Sequence, residues 1–562
     1  MRAVKTFSLI FLLCAGLFPY PGGETPSLVK IPKVPALTAS ALARSGVEVR
    51  QELQNCLLAL ADREEISRLR RMGVRPTVLD RSAGPKEYLL VSLATPGAMD
   101  ALRARGTAVA VEPRTAVFWT GTAGAAEAVP AGLPRKVLAA FPVRVDLRPA
   151  AAGFPVPPAA APDPLVETIV SLVSSSRLSS DVQSLQDFQT RYSSTTNCEA
   201  AGEYIFAAFT ALGLDAVRFE QFPFSAYTSR NVVAELTGET YPDDIVVICG
   251  HYDSISPSAY RQTLAPGADD NASGTAAVLE AARVLAAYPL DFTVRFIAFS
   301  AEEWGLFGSR AHAAAAGQAG ERVVGVINLD MIAYANSMPE DLQVIVNAAS
   351  GWLADRFLAA ATDYGDLAAT KTVDASFIYS DHSPFWDNGY PALLAIEDNP
   401  LNNPYYHQTT DTIDKLNMTF FTGSTRAAVG LLAELAQPIR SGYPATPTGL
   451  AAAVVAYSSL FNDLTAVRLT WDVSPGAAGY NVYRTSQSHL GYVKLNDLPV
   501  TASNFLDEDL GSGGTFYYVV RAVDGTGLEG NPSREADAAL GSSVGRRATL
   551  SASVPLRLWG IR

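Results

Sequence analysis

Residues 244–253 read DIVVICGHYD, and residues 292–304 read FTVRFIAFSAEEW. Each is an apolar run that ends abruptly in ionisable residues, His251 and Asp253 in the first and Glu302 and Glu303 in the second. Runs that are apolar at odd and even positions alike are strands covered on both faces, as in parallel sheets flanked by helices. Related runs occur at NVVAELTG (231–238), VVGVINLDM (323–331), LQVIVN (342–347) and PALLAIED (391–398). Among them lie stretches with helical spacing, SGTAAVLEAARVLAAY (273–288) and TRAAVGLLAELA (425–436). This alternation predicts an α/β unit over residues 165–440, with a mixed, mostly parallel sheet sandwiched by helices. In open sheets of this kind, sites form beyond the carboxyl ends of the strands.

Five segments place ligand-type side chains at such ends. His251 and Asp253 close one strand, and Asp270 sits in the Gly-flanked turn APGADDNASG (265–274) that opens a helix. Glu302 and Glu303 end the next strand, Asp330 ends VVGVINLD, and His407 lies in NPYYHQTTDT (403–412). Two imidazoles and three carboxylates are what two divalent, zinc-like ions need when one carboxylate bridges them. One glutamate of the adjacent pair is then left over, free to take a proton from water. Any single match is weak, because HxD and LDM occur by chance. The five in this order carry the signal.

The strings GHYDS, APGADDNASG, FSAEEWGLFGS, INLDM and HQTTDT resemble those of the bacterial leucyl aminopeptidase-like family, secreted co-catalytic dizinc exopeptidases. The resemblance implies a zinc exopeptidase fold and two divalent metal ions, with zinc the expected element. It implies Asp270 as the bridging ligand, His251 and Asp330 on one ion, and Glu303 and His407 on the other. Glu302 would be the general base and then the acid that protonates the leaving amine. Asp253 would accept the free ring N–H of His251. Substrates would be peptides or proteins with a free N-terminus, cut at the first peptide bond. A hydroxyl near Ser380-Asp381-His382 is expected to stabilise the oxyanion, and Tyr379 is the candidate, although the local pattern departs from the family form.

The same scaffold also suits a carboxypeptidase, with Arg261, Arg310 or Arg356 on a substrate carboxylate, or a glutaminyl cyclase running on a single zinc. A non-catalytic binding or adhesion protein is disfavoured because no ligand is missing. Of the five histidines, His382 reads as a structural, hydrogen-bonded residue, and His312 and His489 read as surface residues. Asp269 reads as a loop acid.

Outside this segment, residues 48–115 follow the order βαββαβ: QNCLLALAD, REEISRLRRMG, PTVLD, EYLLVSLA, PGAMDALRARG and TAVAVEP. That order predicts one ferredoxin-like α+β module within 24–119, either a prosegment that assists folding or masks the site, or an extra structural domain. The Ala/Pro-rich stretch 120–164 reads as linker. Short β segments in 443–541 resemble a fibronectin type III domain, an all-β sandwich with Trp471 in its core. Phe516 stands there where the corner tyrosine is usual, which removes that hydroxyl. The sandwich would serve as a contact to polymer or cell surface, or as a spacer. Residues 542–562 suggest no role.

The start Met1-Arg2-Ala3-Val4-Lys5, followed by an apolar stretch from Phe7 to Phe18, reads as a signal peptide over 1–23. A secreted, extracellular or periplasmic protein is expected, with no transmembrane segment after processing. The chain has 562 residues, room for roughly four units at about 150 residues each. Its 48% hydrophobic content excludes a mostly disordered chain, and a net charge of −13 offers no basic surplus for nucleic acid. Beyond Cys14, three cysteines remain (Cys56, Cys198 and Cys249), too few for a disulfide framework; pairing of Cys56 with Cys198 stays open.

Overall fold

The computed structural model describes residues 25–83, 86–121, 124–130, 132–139, 142, 143, 145, 162–336, 340–458, 463–510 and 514–540. The signal-peptide reading over 1–23 and the tail 542–562 fall outside these residues. The chain forms two compact units, one reaching Ile439 and one starting at Arg440.

The first unit is built around an eight-stranded mixed sheet in the order Ala368–Val373, Asp341–Val346, Ala392–Glu397, Arg322–Leu329, Tyr241–His251, Phe292–Phe299, Tyr227–Leu236, Ala216–Phe224. The fold is mixed α/β. The central strand Tyr241–His251 runs parallel to both of its neighbours, with His251 opposite Phe299 and Cys249 opposite Asn328. Three carboxyl ends are therefore level, and the residues just beyond them converge. Every residue of Phe292–Phe299 is buried, Thr293 and Arg295 included, as a strand covered on both faces requires. Helix Gly274–Leu285 lies almost wholly inside. A Cβ on Gly274 would stand 2.2 Å from the Leu329 carbonyl oxygen, so only glycine lets this helix start so close to the sheet. Two strands escaped the sequence reading: Ala216–Phe224, which contains Arg218, Glu220, Gln221 and Pro223, and the largely exposed edge Ala368–Val373. Neither has the apolar run by which the others were found.

The N-terminal part corrects the expectation of one module within 24–119. Two βαββαβ modules stand in tandem. The first comprises Ser27–Pro32, Ala39–Ser45, Glu48–Glu52, Cys56–Ala61, Arg63–Arg71 and Thr77–Asp80. The second comprises Tyr88–Ser92, Ala98–Arg103, Thr107–Glu112, Thr115–Trp119, Ala125–Ala128 and Arg135–Val137. Each forms a four-stranded antiparallel sheet with its first and last strands adjacent, in the order second, third, first, fourth. The last helix and strand of the second module lie in the stretch read as linker, so that boundary moves from 119 to about Val137. Asp62 caps Arg63–Arg71 through a reciprocal box with Glu65, which fixes the start of that helix.

The second unit contains a three-stranded sheet (Ala451–Ser458, Asp463–Thr470, Asn504–Asp507) and a five-stranded one that includes Gly479–Thr485 and Gly514–Val523. Trp471, Tyr480, Val482, Tyr518 and Val520 share its core. Two residues on from Phe516, Tyr518 donates its hydroxyl to the Asp507 carboxylate at 2.8 Å. Cys56, Cys198 and Cys249 are each buried and free, which closes the pairing question. No helix among the described residues is long and apolar enough to cross a membrane.

Candidate metal centre and its cavity

The level strand ends bring the predicted ligands together. His251, Asp270 and Asp330 form one group, and Asp270, Glu303 and His407 form another, with the ligand atoms of each group within 4.8 Å of one another. His251 Nε2 stands 3.4 Å from Asp270 Oδ1 and 3.4 Å from Asp330 Oδ1. His407 Nε2 stands 3.1 Å from Asp270 Oδ2 and 3.1 Å from Glu303 Oε2. Asp270 thus offers one oxygen to each group. Two ligands on a tetrahedral ion at about 2.0–2.1 Å would be roughly 3.3 Å apart, so these separations suit a small divalent cation. Glu303 Oε1 is buried without a hydrogen-bond partner among the described residues, a cost that a cation would relieve.

The charges here lean on one another. Burial opposes the charge on His407, but Glu303 and Asp270 overcome it and push the imidazole up to about 10. Burial would raise Asp270, yet hydrogen bonds from His251 and His407 hold it well below the carboxylate range.

Surrounding residues hold the ligands in place. Asp411 accepts the backbone N–H of Asp269 and of Asp270, at 2.9 and 3.0 Å, which fixes the turn carrying the shared carboxylate. The Asp270–Asn271 peptide is cis. Ser380 donates to Asp330 at 2.6 Å and accepts from Asn328. Arg191, fully buried, donates to the carbonyls of Tyr252, Leu185, Pro266 and Gly267 and so ties the first strand end to the turn. Ala301, Met331 and His407 all have positive φ, so left-handed backbone clusters at the ligands.

The paired glutamates divide. Glu303 engages His407, whereas the Glu302 carboxylate makes no hydrogen bond among the described residues and lines the cavity. Burial, aided by Glu303 and Asp330 and opposed by His251, raises the Glu302 pKa well above its ordinary value.

Several expectations need correction. Asp253 does meet the free ring nitrogen of His251, but chiefly through its backbone: Nδ1 lies 3.1 Å from the Asp253 carbonyl and 3.6 Å from its carboxylate. That carboxylate instead accepts the backbone N–H groups of Glu302 and Glu303 and the Ser193 hydroxyl, so it aims the glutamate pair. Tyr379 lines the cavity, but its hydroxyl is committed to Thr115 of the second module at 3.2 Å. Asp269 joins neither ligand group, as read, but it is buried and accepts from the backbone of Ala333 and Tyr334. His312 is not on the surface: it pairs with Glu220 at 2.7 Å and packs against Phe299 and Phe385. His382 is buried and engages the Phe377 carbonyl, as read. Tyr406 was missed altogether. Its ring stacks on His407 with centroids 3.8 Å apart, and burial beside Asp270 and Glu303 keeps its hydroxyl protonated at the cavity wall. Its position next to a ligand histidine was the available signal.

A parallel-centred sheet that gathers two His–carboxylate groups around a shared aspartate, with an uncommitted glutamate in the same cavity, defines a metal-dependent hydrolase. More particularly, the protein is a peptidase: residues 231–431 match the family model for Peptidase family M28. It is 28% identical over 300 residues to the probable aminopeptidase YDR415C of Saccharomyces cerevisiae, covering 50% of this chain and 78% of that protein. It is 29% identical over 292 residues to leucine aminopeptidase 1 of Arthroderma otae, covering 48% of this chain and 77% of the relative. Among solved structures, the Legionella pneumophila LapA aminopeptidase aligns with a TM-score of 0.46 at 16% identity, covering 73% of this chain and 98% of LapA.

Proposed function

We propose that the chain is a secreted aminopeptidase that holds two zinc ions and hydrolyses the first peptide bond of peptides or proteins with a free N-terminus. The observation that carries this reading is the division of the glutamate pair, with Glu303 engaged by His407 and Glu302 free in the cavity. His251 and Asp330 would hold one ion, Glu303 and His407 the other, with Asp270 shared between them. When bound, the ions supply Lewis acidity and a water of lowered pKa. Glu302 takes the proton from the attacking water and then delivers it to the leaving amine nitrogen. Asp253 keeps that carboxylate aimed by holding the backbone N–H of Glu302. Names of the relatives support aminopeptidase action over other peptidase chemistry.

The accompanying domain reading assigns 443–541 to a fibronectin type III-like sandwich that contacts polymer or cell surface. A two-sheet unit with Trp471 against Tyr480 in its core supports the sandwich part of that reading. The test is release of leucine from leucyl p-nitroanilide by the purified full chain, with metal counted per chain. Leucine release abolished by chelator and restored by zinc, at two ions per chain, is the expected result. One ion per chain with no release would point to the cyclase reading instead.

A further inference from the structure

The cavity in front of the metal centre has a volume of about 580 Å³ and two kinds of wall. The catalytic segment contributes His251, Asp270, Glu302 and Asp330, while the second N-terminal module contributes Arg114, Thr115 and Arg135. That module is not a loose cover. Leu89, Val91, Phe118 and Val137 share one core cluster with Phe222, Phe224, Trp304 and Phe307 of the catalytic segment. Val137 N–H donates to the Gly305 carbonyl at 3.2 Å, and a Cβ on Gly305 would stand 3.0 Å from the Val137 side chain. The Lys136 ammonium pairs with Asp387 at 2.7 Å, both side chains being buried. A continuous apolar core with a buried ion pair across it resembles a permanent interface more than a transient one.

Arg135 is the unusual group on this wall. Only 6% of its surface is exposed. Its Nη1 donates to the carbonyls of Ala126 and Val129 at 2.9 and 3.1 Å, which fixes the guanidinium. Nε and Nη2 make no hydrogen bond among the described residues, and the side chain makes no ion pair there, although it lines the cavity. A buried cation is costly unless an anion completes it. A fork already anchored on one side, with donors left over on the other, is preorganised for a carboxylate. It repels the substrate's free α-amine, so it faces some other part of the peptide.

Building on the aminopeptidase reading, we propose that Arg135 determines specificity by binding a carboxylate of the substrate, with the second module serving as a permanent wall of the pocket. The carboxylate has two sources, an acidic side chain on the released residue or the free C-terminus of a dipeptide. A cavity of this volume holds a ligand of about that size.

The test uses the zinc-loaded full chain carrying Glu302→Gln, titrated calorimetrically with leucyl-leucine, leucyl-leucine amide and glutamyl-leucine amide. Either leucyl-leucine or glutamyl-leucine amide should bind about 10- to 100-fold more tightly than leucyl-leucine amide, and whichever does so names the source. Adding Arg135→Met should bring the three affinities together, and Arg135→Lys should keep part of the gap; melting temperatures report folding. Equal affinities before Arg135 is changed overturn the proposal, as does a gap that persists in a folded Arg135→Met chain. The aminopeptidase reading fails separately, if the wild-type chain releases no N-terminal residue from any of the three peptides.

Discussion

The two N-terminal modules have the same element order and the same strand order, yet they do different jobs. In the first, Val29, Ile31, Leu57, Ile66 and Leu69 form a core of its own. The opposite face, with Leu28 and Leu58, joins Tyr88, Leu90 and Val117 of the second module in a shared cluster. In the second, the alternate residues Leu89 and Val91 look the other way and pack into the catalytic segment. Strand Tyr88–Ser92 is therefore buried throughout, between two partners. Topology does not set the role of such a module. The face that meets a neighbour does, and here one module braces the other, which in turn walls the cavity.

The largest expected effect lies outside both modules and sets the scale for the rest. Glu302→Gln should lower kcat by about 10²- to 10⁴-fold with the melting temperature unchanged, because only a proton carrier is lost. A variant that keeps its rate would remove Glu302 from the chemistry. Phe118→Ala in the second module should cost about 3–5 kcal/mol of stability and also lower kcat/KM of the folded fraction, because Phe118 packs in the cluster shared with Trp304. Leu69→Ala in the first should cost about 2–5 kcal/mol while leaving the folded fraction fully active. Equal kinetic losses in the two would break the comparison.

Ion pairs divide the modules in the same way. Lys136→Met leaves Asp387 buried with Gln51 as its hydrogen-bond donor, and should cost about 3 kcal/mol in denaturant unfolding; Asp387→Leu added to it should recover most of that. Lys33→Met removes a half-exposed pair with Glu52 in the first module and should cost at most about 1 kcal/mol.

The metal centre was legible because each ligand follows an apolar run or a Gly-flanked turn, so sequence position and spatial position coincide. The modules were not, for a reason of phase. Two tandem βαββαβ modules read as βαβ four times over, and any two consecutive repeats look like one module. The six elements picked from 48–115 are the second and third repeats, straddling the boundary. Only strand pairing, such as Ser27–Pro32 against Cys56–Ala61, fixes the phase. The first strand and helix, SLVKIP and ASALARS, were too short and mixed to announce themselves. Arg135 was invisible for another reason: its burial is made by a segment that composition marks as linker. His312 was misread because an Ala-rich helix gives no amphipathic stripe to show which face is inside.

That buried histidine supports the smallest effect, at an edge of the catalytic sheet removed from the modules. Glu220, on the edge strand Ala216–Phe224, pairs with His312, and Arg218 also donates to it. Burial favours the neutral acid, but the hydrogen bond and charge of His312, with Arg218, bring the Glu220 pKa down from 4.5 to about 2. A carboxyl lowered in the folded state binds its proton less readily there than in the unfolded chain. The stability it contributes is therefore fully present above the unfolded pKa and is lost as pH falls through the folded one. Glu220→Gln should lower the melting temperature at about pH 5, and the gap should close as pH approaches about 2. Rates near neutral pH should not change, since neither residue lines the cavity. A gap of the same size at every pH would show that shape, not charge, makes the contact, and would leave His312 as packing alone.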